Sequence, residues 1–112
     1  MKHKLPDTPT FTQKGLTGYQ FPTVGDGVEI YYVDSPVGHD RYSTDGCDNY
    51  YYIISGSGKF SIDGKIVDVV AGDLVEVSNG VEMTYKGNMR ILLIMVPGHD
   101  AKNHISGRPT DI

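Results

Sequence analysis

The sequence predicts an all-β protein of antiparallel strands, and two observations support that fold class. From Val28 onward, β-branched and aromatic residues cluster in short runs that are separated by turn residues. No segment carries apolar residues at helical spacing for two clear turns, so we expect little helix. The chain has 112 residues, which is enough for one domain and too few for two. We therefore expect a single core built from strands.

The predicted elements run from an irregular start to a strand-rich middle. Residues 1–26 contain three prolines and no sustained hydrophobic period, so we expect an extended N-terminal arm with at most one short strand. Residues 27–97 form the predicted strand domain, and residues 98–112 form a polar C-terminal tail. Seven runs are predicted as strands, namely VEIYYV, NYYYIIS, KFSID, KIVDVV, DLVEV, EMTYK and MRILLIMV.

Three turn signals separate these runs. Gly56-Ser57-Gly58, Asp63-Gly64 and Asn79-Gly80 contain residues that tolerate a positive φ, as tight hairpins require. The stretch from Gly72 to Gly87 accordingly reads as a strand, an Asn79-Gly80 turn and a return strand. We therefore expect antiparallel hairpins at these positions.

Alternation along the strands predicts which side chains are buried. In KFSID, Phe60 and Ile62 face one way and the polar residues face the other. NYYYII and ILLIMV are instead apolar or aromatic on both faces, so a second sheet, the N-terminal arm or a partner subunit must cover the second face. In so small a protein this pattern favours a homodimer, with Tyr50, Tyr52 and part of the N-terminal arm in the interface.

Composition excludes several functional classes. The formal net charge is −4 and the ten Lys and Arg residues are scattered, which argues against a nucleic acid partner. The longest apolar stretch, Ile91 to Pro97, is far shorter than the about 20 residues that span a membrane. The N-terminus lacks the apolar middle of a signal peptide, and the single cysteine excludes an internal disulfide. We expect a cytoplasmic protein with no nucleic acid or membrane partner.

The stretch NYYYIISGSG and the following KFSIDGKIVDVVAGDLVEVSNGVEMTYKG resemble the two sequence motifs of the cupin family and the segment that joins them. The first motif is written G-x5-H-x-H-x(3,4)-E-x6-G and the second G-x5-P-x-G-x2-H-x3-N. Gly56 matches the last glycine of the first motif, and Gly72 and Gly80 match the two glycines of the second. The resemblance covers residues 28–97. It implies a cupin-like double-stranded β-helix, a jelly-roll barrel of two antiparallel sheets with a ligand-sized interior.

The metal-ligand positions of the cupin motifs hold other residues in this chain. The glutamate position falls on Asn49 and the third histidine on Met83. Depending on the motif spacing, the first two histidines fall on Ser43 and Asp45, or on Tyr42 and Thr44. Iron, manganese, nickel and zinc favour imidazole and carboxylate donors, which this set lacks almost entirely. We therefore expect no metal cofactor, and we expect Met83 to fill space inside the barrel.

The remaining histidines offer a weaker route to a metal site. His39, Asp45 and His99 could in principle reach a cation at the mouth of the barrel, and His104 lies beyond them. No pair of histidines has the i, i+2 spacing that places two imidazoles on one face of a strand. We therefore expect ordinary solvated histidines, while a rebuilt metal site stays an open alternative.

The resemblance implies a set of residues that line the barrel interior. These candidate ligand-binding residues are Arg41, Ser43, Asp45, Asn49, Tyr51, Met83 and Tyr85. On one interpretation they form a binding wall, in which tyrosines supply rigid faces and Arg41 pairs with a carboxylate or phosphate of a small ligand. On the other, Arg41 and Asp45 lie at the solvent-exposed rim and the tyrosines fill the barrel. Both interpretations remain open.

Three functions are compatible with this sequence. The first, which we prefer, is a module that binds a small polar metabolite in the barrel without a metal. The second is an acid–base isomerase or epimerase that acts on a sugar-like substrate without a metal, with Asp45 and Tyr51 or Tyr85 as the candidate pair. The third is a metal-dependent oxygenase or isomerase with unusual ligands. No catalytic residue is identified from the sequence alone.

Overall fold

The computed structural model describes residues 1–13, 15–23, 27–44 and 46–97. Within these ranges the chain forms nine strands and no helix, and all strand pairs are antiparallel. The predicted all-β fold class is thereby confirmed. The strands are β1 (Phe11–Gln13), β2 (Leu16–Gln20), β3 (Glu29–Ser35), β4 (Gly38–Tyr42), β5 (Asp48–Ile62), β6 (Lys65–Val70), β7 (Leu74–Val77), β8 (Met83–Lys86) and β9 (Met89–Val96).

A single curled sheet forms the barrel wall. Its strand order is β1-β2-β3-β9-β5-β8-β4, and β6 and β7 also pair with β5. The 15-residue β5 belongs to both halves of the barrel: its first half pairs with β7 and β9, and its second half pairs with β6 and β8. One long bent strand therefore joins the two halves.

The turn predicted at Gly56-Ser57-Gly58 is wrong, because β5 continues through it. The pairing of β5 with β9 is irregular between Ile53 and Ser55, and Gly56 follows with a φ of 87°. A Cβ at Gly56 would lie 2.1 Å from the carbonyl oxygen of Asn88, so no larger residue fits there. A glycine with positive φ serves a bend within a strand as well as a turn, and here it redirects β5 from one half of the barrel to the other.

The predicted hairpin at Asp63-Gly64 is confirmed. These two residues connect β5 to β6, both have positive φ, and Ile62 pairs with Lys65 on the other side of the turn. This is the backbone geometry that two-residue hairpins favour.

The predicted hairpin between Gly72 and Gly87 is wrong, although its turn is present. The Val81 amide donates to the Ser78 carbonyl oxygen over 3.1 Å, and Gly80 has a φ of 79°. The flanking strands do not pair with each other: β7 pairs with the start of β5, and β8 pairs with the end of β5 and with β4. The turn thus carries the chain between the two halves of the barrel.

The N-terminal region contains two strands where the sequence predicts at most one. β1 pairs with β2, and β2 pairs with β3, so both extend the barrel sheet. The ring of Phe11 packs against Tyr31, with the two ring centroids 5.8 Å apart. The predicted tail, residues 98–112, lies outside the described residues.

The core occupies the inner face of the curled sheet. Val33, Ile91 and Ile53 form one buried row across β3, β9 and β5. Phe60 is fully buried and Ile62 packs against the core, as the alternation in KFSID predicts. In the described part of the chain, no helix is long and apolar enough to cross a membrane.

Candidate functional site

Five ring side chains meet inside the barrel, and we call them the inner ring cluster. They come from β4, β5 and β8, and they are His39, Tyr42, Tyr51, Phe60 and Tyr85. The His39 ring lies 4.2 Å from the Tyr42 ring and 5.7 Å from the Tyr85 ring, measured between centroids. Tyr85 stacks on Phe60 at 4.9 Å and lies 6.0 Å from Tyr51. The four members other than His39 are at most 6% exposed, so the cluster is a packed wall with the half-buried His39 at its edge.

An irregularity in β4 brings His39 and Tyr42 into this cluster together. In a regular strand, residues three apart point to opposite faces. Here His39 pairs with Tyr85 of β8, Tyr42 pairs with Met83, and the register shifts between the two positions. With this shift the two rings contact each other, and irregularities of this kind commonly redirect a side chain near a functional site.

The hydroxyl of Tyr51 is held by three protein groups. The Asn49 side-chain amide donates to it over 3.3 Å, and the Tyr51 hydroxyl donates to the Met83 sulfur over 3.3 Å. The hydroxyl of Tyr42 also bonds to that of Tyr51, and it must be the donor because the Tyr51 proton is directed at Met83. The orientations of the Tyr42 and Tyr51 hydroxyls are therefore determined by the protein itself.

This arrangement does not fit a cupin-type metal ion. The positions that resemble metal ligands hold a phenol, an amide and a thioether, from Tyr42, Asn49 and Met83, and the Tyr51 hydroxyl contacts all three. Iron, manganese, nickel and zinc favour imidazole and carboxylate donors over these groups. Among the described residues, no three His, Cys, Asp or Glu side chains converge on a common point. We therefore derive no chemical step through a metal.

The tyrosines of the cluster keep their protons at neutral pH. Burial raises the pKa of Tyr51 to about 12, an increase that its hydrogen bonds from Tyr42 and Asn49 partly offset. Burial also raises the pKa of Tyr42 and of Tyr85 well above the ordinary value, and the neighbouring Tyr51 adds to both increases. All three phenols consequently remain neutral and can donate hydrogen bonds.

His39, unlike these tyrosines, has a ring nitrogen that can accept a proton. Its Nδ1 atom lies 2.6 Å from the backbone carbonyl oxygen of Asp40. A carbonyl oxygen only accepts, so Nδ1 carries the hydrogen and Nε2 is unprotonated. Burial lowers the pKa of His39, an effect that the hydrogen bond to Asp40 only partly offsets, which keeps the ring neutral at physiological pH. His39 is thus a neutral imidazole in contact with protonated phenols.

The structure brings together four of the seven residues that the sequence proposes for ligand binding. Asn49, Tyr51, Met83 and Tyr85 are each at most 3% exposed. Arg41 instead points to solvent, where its guanidinium lies 3.8 Å from Glu82, and Ser43 is only half-buried. Asp45 lies outside the described residues.

Tyr42 and Thr44 are buried, in agreement with the longer of the two motif spacings. With that spacing the alternation places Tyr42 inside the barrel, whereas the shorter spacing placed Arg41 and Ser43 there. The interior set predicted from the shorter spacing therefore omits Tyr42.

His39 is not the ordinary solvated residue that the sequence predicts. The ring is half-buried and packs on two tyrosines because of the irregularity in β4, for which strand alternation has no signal. The proposed cation set of His39, Asp45 and His99 cannot be placed, since Asp45 and His99 lie outside the described residues, as does His104.

No protein-family model and no curated protein sequence matches the chain. Several solved structures are similar to the chain in fold. Pac13, a nucleoside dehydratase, is similar over 95% of this chain and 91% of its own, with a TM-score of 0.84 and 21% identity. Streptomyces Pac13 has also been solved with uridine in variants that replace one histidine by glutamine, or one of two tyrosines by phenylalanine.

Two further structures are more distant in sequence. KdgF from Halomonas sp. is 10% identical, with a TM-score of 0.75 over 88% of this chain and 96% of its own. The cupin domain of Schizosaccharomyces pombe Cnp3 is 12% identical, with a TM-score of 0.70 over 80% of this chain and 69% of its own. These likenesses agree with the curled antiparallel barrel described above. The chain has the cupin fold.

Proposed function

We propose that the barrel binds a small, nucleoside-like metabolite without a metal ion, and that His39 and the tyrosines beside it perform acid–base chemistry on that molecule. The observation that carries the proposal is the inner ring cluster, in which a neutral imidazole with an unprotonated Nε2 lies against buried, protonated phenols. Acid–base catalysis requires at least one group that accepts a proton and one that donates a proton. The imidazole and the phenols of this cluster are two such groups within one aromatic wall.

The reaction that this pair supports best is the elimination of water from a sugar that carries a carbonyl group. The Nε2 atom of His39 takes a proton from the carbon next to the carbonyl, and the electron pair of that C–H bond forms a carbon–carbon double bond. The bond to the departing hydroxyl breaks, and the hydroxyl leaves as water with a proton from a phenol. A phenol that holds its proton at neutral pH can transfer it to the departing hydroxyl, which becomes a strong base as the carbon–oxygen bond breaks.

Tyr85 is the phenol best suited to donate that proton. The protons of Tyr42 and Tyr51 are already directed along the chain of hydrogen bonds that ends at Met83. The Tyr85 ring lies 5.7 Å from the His39 ring, which places acid and base on one wall of the barrel. In this proposal His39 and Tyr85 take the roles that the sequence assigned to Asp45 and a tyrosine.

The comparison with Pac13 supports the nucleoside class of ligand. The two tyrosines substituted in the Pac13 structures with uridine are separated along their chain by the same number of residues as Tyr51 and Tyr85. The substituted histidine lies only one residue further from them than His39 does. The three Pac13 positions therefore correspond in spacing to three members of the inner ring cluster.

Binding without turnover is the second candidate, and a specific observation favours it. The side-chain oxygen of Asn49 is buried and has no hydrogen-bond partner among the described residues. A buried acceptor without a partner costs stability, and an N–H or O–H group of a ligand would satisfy it. This candidate needs the cluster only as a binding surface.

Both candidates require a nucleoside-like ligand to bind in the barrel, and uridine is the probe that tests this binding. We expect calorimetry to detect uridine binding to the wild-type protein and to the exposed-site control Ile66→Ala, and to show weaker binding by Asn49→Ala. Absence of binding at millimolar uridine would rule out both candidates. Elemental analysis runs in parallel: near one equivalent of a transition metal per chain, lost in Met83→Ala, would instead support the metal-dependent alternative.

Mass spectrometry separates the two candidates from each other. We expect a uridine derivative with a carbonyl on its ribose to lose one water in the presence of the wild-type protein. His39→Gln and Tyr85→Phe should bind uridine within a few-fold of wild type and lose this activity by at least about 100-fold, the size expected for removal of a general acid or base. Binding with no water loss would leave the module that binds without turnover.

A further inference from the structure

The outer face of the same sheet carries a row of five apolar side chains in register. Tyr19 of β2 is paired with Tyr32 of β3, which is paired with Leu92 of β9. Leu92 is paired with Tyr52 of β5, and Tyr52 with Leu74 of β7. Residues paired directly across neighbouring strands point to the same face, so the row runs unbroken over five strands.

A second row lies beside the first. Ile30, Ile94 and Tyr50 are paired across β3, β9 and β5, two residues along each strand from the first row. We call these eight side chains the outer apolar face; they are Tyr19, Ile30, Tyr32, Tyr50, Tyr52, Leu74, Leu92 and Ile94. Leu74 is 61% exposed and Tyr52 is 42% exposed, and the other six side chains are partly buried. Among the nine strands, the close contacts join only neighbours within the sheet.

The size of the outer apolar face matches that of a protein interface. Five strands at about 4.8 Å spacing and rows about 7 Å apart give a footprint of roughly 24 by 15 Å. That is the size of the apolar centre of a standard interface, which buries about 800 Å² on each partner once its polar rim is included. Contiguous apolar patches of several hundred Å² on a monomer are usually interaction sites.

We propose that the outer apolar face is the interface of a symmetric homodimer, formed by packing this face against the same face of a second copy. A sheet surface of alternating Tyr, Leu and Ile packs readily against another sheet at about 10 Å separation. An interface made from one patch on both subunits is the commonest symmetric arrangement. This inference is independent of the proposed chemistry inside the barrel.

The charges around the face agree with a two-fold axis that runs along the rows. One end of the face carries Arg90 beside Asp34, 4.0 Å apart, and both side chains are about half exposed. The other end carries Glu76, paired with Tyr50, and Asp48, paired with Val96. A two-fold axis along the rows reverses the strand direction, so Arg90 of one copy lies over the acidic end of the other. That orientation places Arg90 between Asp34 of its own chain and the acidic end of the other copy.

The chain's own C-terminal tail is a poorer occupant. It follows Val96, which is 39% exposed on the same face, so it starts close enough to reach it. Residues 98–112 contain only three apolar side chains, Ala101, Ile105 and Ile112, with four charged residues. Three apolar groups cannot cover eight, whereas a second copy supplies an equal number.

Sedimentation of the full-length chain tests the proposal. We expect the wild-type protein to sediment as a dimer at about 50 µM, and Tyr52→Lys and Leu74→Lys each to raise the dissociation constant by about 30-fold or more, as for loss of an interface hot spot. Ile66→Lys is the matched control, because Ile66 is 68% exposed but lies on β6, away from this face. It should leave the dimer intact.

Three outcomes would overturn the proposal. A monomeric wild-type chain at 100 µM would mean that the tail or a different protein covers the face. A dimer that Tyr52→Lys and Leu74→Lys leave unchanged would place the interface elsewhere. Equal weakening by Ile66→Lys would show that added charge acts without regard to position. Circular dichroism of each variant, with the β-sheet spectrum of the wild type, confirms that a monomer is folded.

Discussion

Tyr51 and Tyr52 are neighbours on one strand, and they lie in two very different environments. Tyr51 faces the barrel interior, is 1% exposed, and has hydrogen bonds to Tyr42, Asn49 and Met83. Tyr52 faces outward, is 42% exposed, and lies between Leu74 and Leu92 in the outer row. The same type of side chain thus belongs to a directional polar network on one face of the strand and to a non-directional apolar surface on the other.

The difference shows how one sheet can carry two functions. Inside the barrel, each polar atom needs a partner at the right distance and angle, so few arrangements are stable and those that form are specific. On the outer face, the Tyr52 hydroxyl can bond to water and its ring contributes area alone. We therefore expect the inner face to be sensitive to the loss of single atoms and the outer face to be sensitive to added charge.

The largest effect is expected at Met83. This side chain is 2% exposed and accepts the hydrogen bond of Tyr51, so Met83→Ala opens a cavity and removes an acceptor. We expect a loss of about 2 to 5 kcal/mol in the free energy of unfolding, measured by chemical denaturation. The control Ile66→Ala, at an exposed site, should change stability by no more than about 0.5 kcal/mol. A Met83→Ala protein as stable as this control would contradict the packed interior.

A smaller effect compares the two tyrosines directly. Tyr51→Phe removes one oxygen and leaves the buried Asn49 amide and Tyr42 hydroxyl without their acceptor. We expect a loss of about 1 to 3 kcal/mol in unfolding free energy. Tyr52→Phe removes the same oxygen from an exposed site and should cost no more than about 0.5 kcal/mol. Equal losses in the two variants would show that the inner network contributes nothing beyond packing.

The smallest effect concerns pH and His39. Because burial lowers the pKa of His39, the folded state binds a proton less readily than the unfolded state, whose histidines titrate near pH 6.5. Stability should therefore be fully present above about pH 6.5 and should fall as the pH decreases through the lowered pKa. We expect denaturation between pH 7 and 5 to show a steeper loss in wild type than in His39→Gln. The exposed-site variant Ile66→Ala should keep the wild-type slope, and a slope shared by His39→Gln would assign the loss to other groups.

Sequence patterns correctly predicted much of the barrel. The strand-rich runs and the Asp63-Gly64 hairpin depend on neighbouring residues, and local signals of this kind are visible in a single chain. Strand alternation, anchored by the motif glycines, also placed Asn49, Tyr51, Met83 and Tyr85 on the interior face, where the structure has them. Their role in ligand binding remains a prediction.

Other features depend on which strands pair, and only the tertiary structure decided them. The glycine at position 56 does not indicate that β5 continues into the other half of the barrel, because a positive φ suits a bend and a turn equally. His39 joins Tyr42 only through a register shift against β8. The outer apolar row depends on the register of five strands from distant parts of the chain. Alternation within one strand determines which face a residue occupies, whereas the neighbours it meets there are determined by pairing across the sheet.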